Sequence, residues 1–172
     1  KFGKECHPNC DCGRFLEIGN SVFMEYVKNA NGTFSLLPQK NVDFGGGLER
    51  IAAASIGNPD VFTIDTFSRI IDQIESFSKV SYSQEKYKKA FRVIADHIRG
   101  AVFMIGDGVL PGNTDQGYFV RRLIRRAVRF ADGLGIKQGA LAGMATIVAE
   151  EYREHYPSIL RQGQFIVSTI NQ

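Results

Sequence analysis

The hydrophobic period of this 172-residue chain changes at one place, the glycine run Gly45–Gly47. Before it the texture is extended, and after it apolar residues recur at helical spacing almost to the end. In "RFLEIGNSVFMEYVKN" (14–29) aromatic and β-branched residues dominate, although the alternation around Phe23, Met24, Tyr26 and Val27 is imperfect. "NANG" (29–32) is a turn by composition, with Gly32 free to take a positive φ. "TFSLLPQKNVDF" (33–44) is a second extended segment, interrupted by Pro38. Residues 14–44 are thus expected to form antiparallel strands joined as a hairpin.

In "GGGLERIAAASIG", Leu48, Ile51, Ala52 and Ser55 fall on one helical face, and Gly57 ends the run. Phe67, Ile70, Ile71 and Ile74 form a stripe in the next helical segment, and Phe91, Ile94, Ala95, Ile98 and Val102 form another over 85–105. "GDGVLPGNTDQG" (106–117) reads as a loop. An arginine-rich helix follows it, and two further helical stretches are expected around 138–155 and 158–171. Strands first and helices afterwards define an α+β chain. The expected organisation is a small sheet over 1–58 and a helical bundle over 59–172.

No apolar run approaches the ~20 residues that a membrane span requires. No basic-then-apolar leader is present either, so a cytoplasmic protein is expected. A first residue Lys1 and a helical pattern still running at Gln172 suggest a piece of a longer chain. The net charge of +3 is mild, so its distribution carries more information than its size.

That distribution is uneven, because "YFVRRLIRRAVRF" (118–130) holds five arginines. At ~100° per residue, Arg121, Arg122, Arg125, Arg126 and Arg129 lie within an arc of roughly 140°. Phe119, Val120, Leu123, Ile124, Ala127, Val128 and Ala131 fill the opposite arc. One reading is a helix packed by one face and solvated by the other. Yet 121–125, 122–126 and 125–129 are like-charge pairs at i,i+4, which destabilise a helix. An anionic partner accounts for such a stripe, since the guanidinium fork matches phosphate. Acidic residues elsewhere in the fold would account for it equally well.

"NVDFGGGLER" (41–50) places Asp43 at the end of an extended segment, then glycines, then a helix start. Glycines allow a ligand close to the backbone, and a helix N-terminus offers N–H groups to anions. The same run also suits tight packing of strand against helix, and it is neither a dinucleotide fingerprint nor a P-loop. Cys6, Cys10 and Cys12 cluster in "CHPNCDCG". Three thiols at this spacing, with His7 nearby, either hold Zn²⁺ or lie free in a turn. Adjacent Cys6 and His7 rarely reach one ion together, which points to a fourth ligand upstream of Lys1.

Taken together these blocks resemble one family. "NVDFGGGLERIAA" resembles the third signature motif of class II aminoacyl-tRNA synthetases in their alanyl form, and "RFLEIGNSVFMEY" resembles the segment before it. "RVIADHIRGAVFMIGDGVLPGNTDQGYFVRRLIRRAVRFADGLG" is similar to the family's helical tRNA-recognition region. The resemblance implies a fold in which 1–58 ends a class II catalytic sheet and 59–172 forms the tRNA-recognition domain. It implies activation of alanine with ATP and Mg²⁺, then transfer to tRNA(Ala). Val22 would line the alanine pocket, Asp43 would hold the ammonium, and Gly45 would admit the substrate to the backbone. Gly47 would do the same for the nucleotide, and Arg50 would meet ATP by charge and cation–π stacking. Asn113 would read the G·U pair of the acceptor stem, and the five arginines would lie along its backbone.

Two positions depart from the family pattern. Gly19 stands where tryptophan is usual, and Phe44 follows Asp43 in place of threonine. Both are expected to flank the alanine site. They favour a rival reading, a degenerate paralogue that binds tRNA without catalysis, whereas Asp43, Gly47 and Arg50 favour the enzyme. In the family, motifs 1 and 2 lie upstream of this region, so the piece alone is not expected to activate alanine.

Overall fold

The computed structural model describes residues 2–10, 12–137 and 139–172. Two units divide the chain, Lys1–Ile64 and Asp65–Gln172.

In the first unit β1 (Gly19–Lys28) pairs antiparallel with β2 (Phe34–Gly46). Residues 14–18, expected as strand, precede the ladder without joining it. The turn closes where Asn29 N–H donates to Thr33 O at 2.8 Å and Gly32 N–H donates to Asn29 O at 2.9 Å. Gly32 has φ +85°, as its place in the turn demands. Pro38 does not end β2. The register jumps from Met24↔Asn41 to Tyr26↔Leu36, so Glu25 faces an expanded bulge. A bulge is where a strand tolerates a residue without an N–H. Lys40 Nζ lies 2.5 Å from Glu25 Oε1 across it.

Among the described residues this sheet has two strands, and Phe23, Phe34, Leu36, Val42 and Phe44 are all exposed on it. A two-stranded sheet buries neither face by itself. Helix α1 (Leu48–Ser55) follows, with Gly47 at its N-cap and Gly57 at φ +68° beyond its end. The expected packing face of α1 is not the observed one. Leu48 and Ile51 are exposed, and Ala53 is the buried residue. Among the described residues of this unit, no second apolar layer covers the larger side chains. A 3₁₀ turn at Val61–Thr63 is capped by Asp60, whose Oδ1 accepts from Phe62 N–H at 3.2 Å.

The second unit is built on α3 (Glu85–Gly106), which packs most extensively on α4 (Asp115–Gly133). The remaining helices are α2 (Asp65–Ser78), α5 (Gly139–Glu151), α6 (Pro157–Arg161) and α7 (Gly163–Asn171). The stripes read from sequence are the core: Phe67, Ile70, Ile71 and Ile74 on α2, and Phe91, Ile94, Ala95, Ile98 and Val102 on α3, are buried. No polar or charged residue is buried among the described residues. Arg69 on α2 ties to α5, its two terminal nitrogens lying 3.0 Å from Glu151 and 3.3 Å from Glu150.

The last helical stretch, expected to run unbroken over 158–171, is divided at Gln162. The Gln162 amide donates to Gly106 O at 3.1 Å, satisfying a carbonyl at the end of α3. A Cβ on Gly106 would stand 3.3 Å from Ile159, so the α3 terminus and α6 meet closely there. For the stretch expected around 138–155, residue 138 lies outside the described residues and the helix runs to Glu151.

Candidate functional site

In the first unit, pairing sets the geometry. Val22 is the cross-strand partner of Asp43, and Asn20 is the partner of Gly45. Since side chains alternate, Val22, Asp43 and Gly45 share one face of the hairpin. Val22 is 53% exposed there, and Asp43 and Gly45 are also exposed. A Cβ on Gly45 would meet nothing within 4 Å among the described residues, so packing does not demand glycine at this position. Gly19, Phe44 and Gly46 belong to the opposite face. Positions 19 and 44, expected to flank the alanine site, therefore lie on the hairpin face opposite to that of Val22, Asp43 and Gly45.

Gly47 and Arg50 meet at the start of α1. A Cβ on Gly47 would stand 3.1 Å from Arg50 Cδ, so glycine lets the arginine stem lie over the backbone. The Gly47 N–H donates to Ile18 O at 3.0 Å and is not available to an anion. Arg50 Nη1 donates to Glu17 O at 3.0 Å, which holds the exposed guanidinium beside the strand entry.

In the second unit α4 exposes all five arginines: Arg121, Arg122, Arg125, Arg126 and Arg129. Its inner face buries Val120, Ile124, Ala127 and Ala131. Phe119, assigned to that inner face from the sequence, is 51% exposed instead, because it lies at the edge of the apolar arc and in the first turns of the helix. Asp132 falls at the end of the arginine arc, yet no carboxylate among the described residues makes an ion pair with the stripe. Neutralisation from within the described fold is thus not observed.

Asn113 precedes this helix and is held by it, since Arg121 Nη1 donates to Asn113 Oδ1. Arg121 takes up one lone pair of Oδ1, which leaves the amide a second acceptor site and its N–H donors. The loop that carries Asn113 is pinned by Gly117, where Gly112 N–H donates to Gly117 O at 2.9 Å. A Cβ on Gly117 would stand 2.7 Å from Leu110 O, so only glycine allows this approach. Asn113 and the five arginines line one shallow groove of about 400 Å³ together with Tyr118. A neighbouring groove of about 650 Å³ adds Lys86 of α3 beside Arg126 and Arg129.

Tyr118 was not singled out by the sequence reading. The signal was present, since at ~100° per residue it falls inside the arginine arc. Lys86 had no such signal, because only the packing of α3 on α4 brings it near.

The three thiols also come together. The Sγ atoms of Cys6, Cys10 and Cys12 all lie within 4.8 Å of one another, and those of Cys6 and Cys12 are 3.2 Å apart. His7 is not part of the group. No helix among the described residues is long and apolar enough to cross a membrane.

Residues 2–172 match the family described as tRNA synthetases class II (A), and the chain belongs to that family. Its relatives include the alanine–tRNA ligase of Caldicellulosiruptor saccharolyticus, 44% identical over 166 residues, which cover 95% of this chain and 19% of that protein. That of Desulfitobacterium hafniense is 41% identical over 165 residues, with the same two shares. That of Treponema denticola is 42% identical over 170 residues, covering 97% of this chain and 28% of the relative. The chain thus spans between about a fifth and about three tenths of the relatives' length.

Proposed function

We propose that this chain is a segment of a cytoplasmic alanine–tRNA ligase that contributes the third class II motif and the surface that grips the tRNA(Ala) acceptor stem. The observation that carries this reading is one groove shared by Asn113 and five arginines that have no carboxylate partner among the described residues. Arginines along a helix suit the backbone of A-form RNA, and an amide at the end of that stripe suits a base edge in the shallow minor groove. Tyr118 and Lys86 extend the surface, the ring for stacking and the ammonium for phosphate. By this assignment residues 1–58 belong to the catalytic domain and 59–172 to the tRNA-recognition domain.

On the substrate side, Val22, Asp43 and Gly45 form the alanine face. Asp43 pairs with the ammonium, Val22 bounds the methyl group, and Gly45 leaves the backbone open to the substrate. When bound, ATP with Mg²⁺ supplies the adenylyl group that activates the carboxylate. Gly47 and Arg50 fit the nucleotide, because the missing Cβ lets the Arg50 stem lie flat with its guanidinium exposed. The positions of Gly19 and Phe44 on the other face support the enzyme over a degenerate paralogue.

The test is alanine-dependent ATP–pyrophosphate exchange by the full-length protein, with acceptor-stem binding measured alongside. Exchange together with binding is the expected result. Binding of the stem without any exchange would favour the non-catalytic tRNA-binding module instead.

A further inference from the structure

The cysteine cluster takes no part in the reading above, and it is built rather than scattered. Cys6 N–H donates to Gly3 O at 3.2 Å and Cys10 N–H donates to His7 O at 2.9 Å, so two tight turns bring the thiols inward. A tetrahedral Zn²⁺ with bonds of ~2.3 Å spaces its sulfurs by about 3.8 Å. The three Sγ atoms are all within 4.8 Å of one another, so the widest pair closes by about 1 Å or less, while Cys6 and Cys12, 3.2 Å apart, open by about 0.6 Å. The Cys6–Cys12 separation of 3.2 Å is well beyond a disulfide bond of ~2.05 Å.

We propose that Cys6, Cys10 and Cys12 bind one Zn²⁺ as three thiolates, with a fourth position open to water or to a ligand from outside this chain. Soft thiolates select this class of cation over Mg²⁺ or Ca²⁺. Three thiolates around a dication leave one negative charge, and Arg14 is placed to offset it. Its side chain lies within hydrogen-bonding reach of Cys6 and its backbone within reach of Cys12. The Arg14 guanidinium is itself steadied against Phe2 and Phe15, 5.9 and 5.4 Å from the two ring centroids. Metal binding here links the segment before β1 into a fixed turn, independently of alanine or tRNA.

The experiment compares the full-length protein, isolated without chelator, with its Cys6→Ser/Cys10→Ser/Cys12→Ser variant by elemental analysis. The parent is expected to carry about one equivalent of zinc more than the variant. After chelator treatment, the parent should take up Co²⁺ with a thiolate-to-cobalt charge-transfer band that the variant lacks. Arg14→Ala should weaken zinc binding by roughly 10- to 100-fold, the range for groups that support ligands from behind. If the serine variant does not fold, the stripped parent decides: prior alkylation of its thiols must block zinc uptake. Equal zinc in parent and variant, or uptake unaffected by alkylation, overturns the proposal. So does a Cys6–Cys12 disulfide in protein isolated without reductant.

Discussion

The ring of Phe44 lies across Gly19, on the face of the hairpin turned away from Asp43. A Cβ on Gly19 would stand 2.8 Å from Phe44 Cζ. One on Gly46, the cross-strand partner of Gly19, would stand 3.0 Å from Phe44 Cε1. One aromatic ring therefore covers a pair of glycines, which is how aromatics shield weak points in a sheet. Gly19 and Phe44 are therefore not independent positions, since the ring of one occupies the space that a side chain at the other would need.

Coupling between these two positions is measurable by a double-mutant cycle. Gly19→Ala in a Phe44→Thr background should stabilise the protein by ~0.5–1 kcal/mol, the usual gain over glycine in a strand. With Phe44 present that gain is offset, because the new methyl displaces the ring. Urea unfolding midpoints read the difference, and equal shifts in both backgrounds would mean the ring does not rest on Gly19.

The same face assignment predicts opposite behaviour for adjacent residues. On the proposed reading, Asp43→Asn removes a charge-assisted pairing with the alanine ammonium, a loss of ~1.5–3 kcal/mol. The KM for alanine in pyrophosphate exchange should rise about 10- to 150-fold, since 1.4 kcal/mol is a factor of ten. Phe44→Thr, one residue along and facing the other way, should leave it within about twofold. A comparable rise for Phe44→Thr would place its ring in the substrate pocket after all.

The helical stripes were legible because burial follows a period that sequence displays directly. Ile70, Ile74, Ile94 and Ile98 needed no partner to be recognised as core. What escaped depended on contacts between distant residues. Pro38 marked an irregularity, but its resolution as a bulge depends on the pairing across β1. The break at Gln162 arises from a hydrogen bond to Gly106, which no local pattern contains. In the candidate site, the motif residues could be named one by one, whereas their division between two faces came only with register. Gly19 and Phe44 are 25 positions apart, and a one-residue slip would have put Phe44 beside Val22.

Asn113 and Arg125 share a groove yet should fail differently. Asn113→Ala is expected to reduce the preference for a G·U over a G·C acceptor stem by ~1–3 kcal/mol, a typical value for one base-reading side chain. Arg125→Ala should weaken both stems alike and lower the salt slope by about one. Arg121→Ala should do both, because Arg121 also holds Asn113 through its Oδ1. Binding titrations at several salt concentrations separate the cases, and an Asn113→Ala loss equal on both stems would assign that residue to loop positioning.

Gly117 provides a test that alters none of the residues lining the arginine groove. Its Cβ would stand 2.7 Å from Leu110 O and 3.1 Å from Gly112 N, both backbone atoms that cannot swing aside. Gly117→Ala should therefore displace the 110–113 loop, with a cost of ~1–3 kcal/mol for overpacking if the loop resists. Stem discrimination should fall toward that of Asn113→Ala while the salt slope stays unchanged, because the arginines remain on α4. Full discrimination in a folded Gly117→Ala protein would show that the loop position is not what orients Asn113.

The metal-free cysteine cluster should show an order of reactivity that depends on pH. Hydrogen bonds from the Arg14 backbone and from Cys6 pull the Cys12 thiol below its ordinary range. The Cys6 thiol is pushed up, chiefly because it shares a hydrogen with Cys12 and stays protonated while Cys12 is ionised. A lowered thiol pKa means a larger thiolate fraction at any pH beneath the ordinary range, and thiolate is the nucleophile. In chelator-treated protein, iodoacetamide should thus modify Cys12 before Cys6, with the gap widest near neutral pH. The gap should narrow as rising pH ionises Cys6 as well. Peptide mass spectrometry across a pH series follows each site separately, and zinc added beforehand should protect both. Faster modification of Cys6 than of Cys12 at neutral pH would reverse the assigned donor and acceptor, making Cys12 the residue that keeps the shared proton.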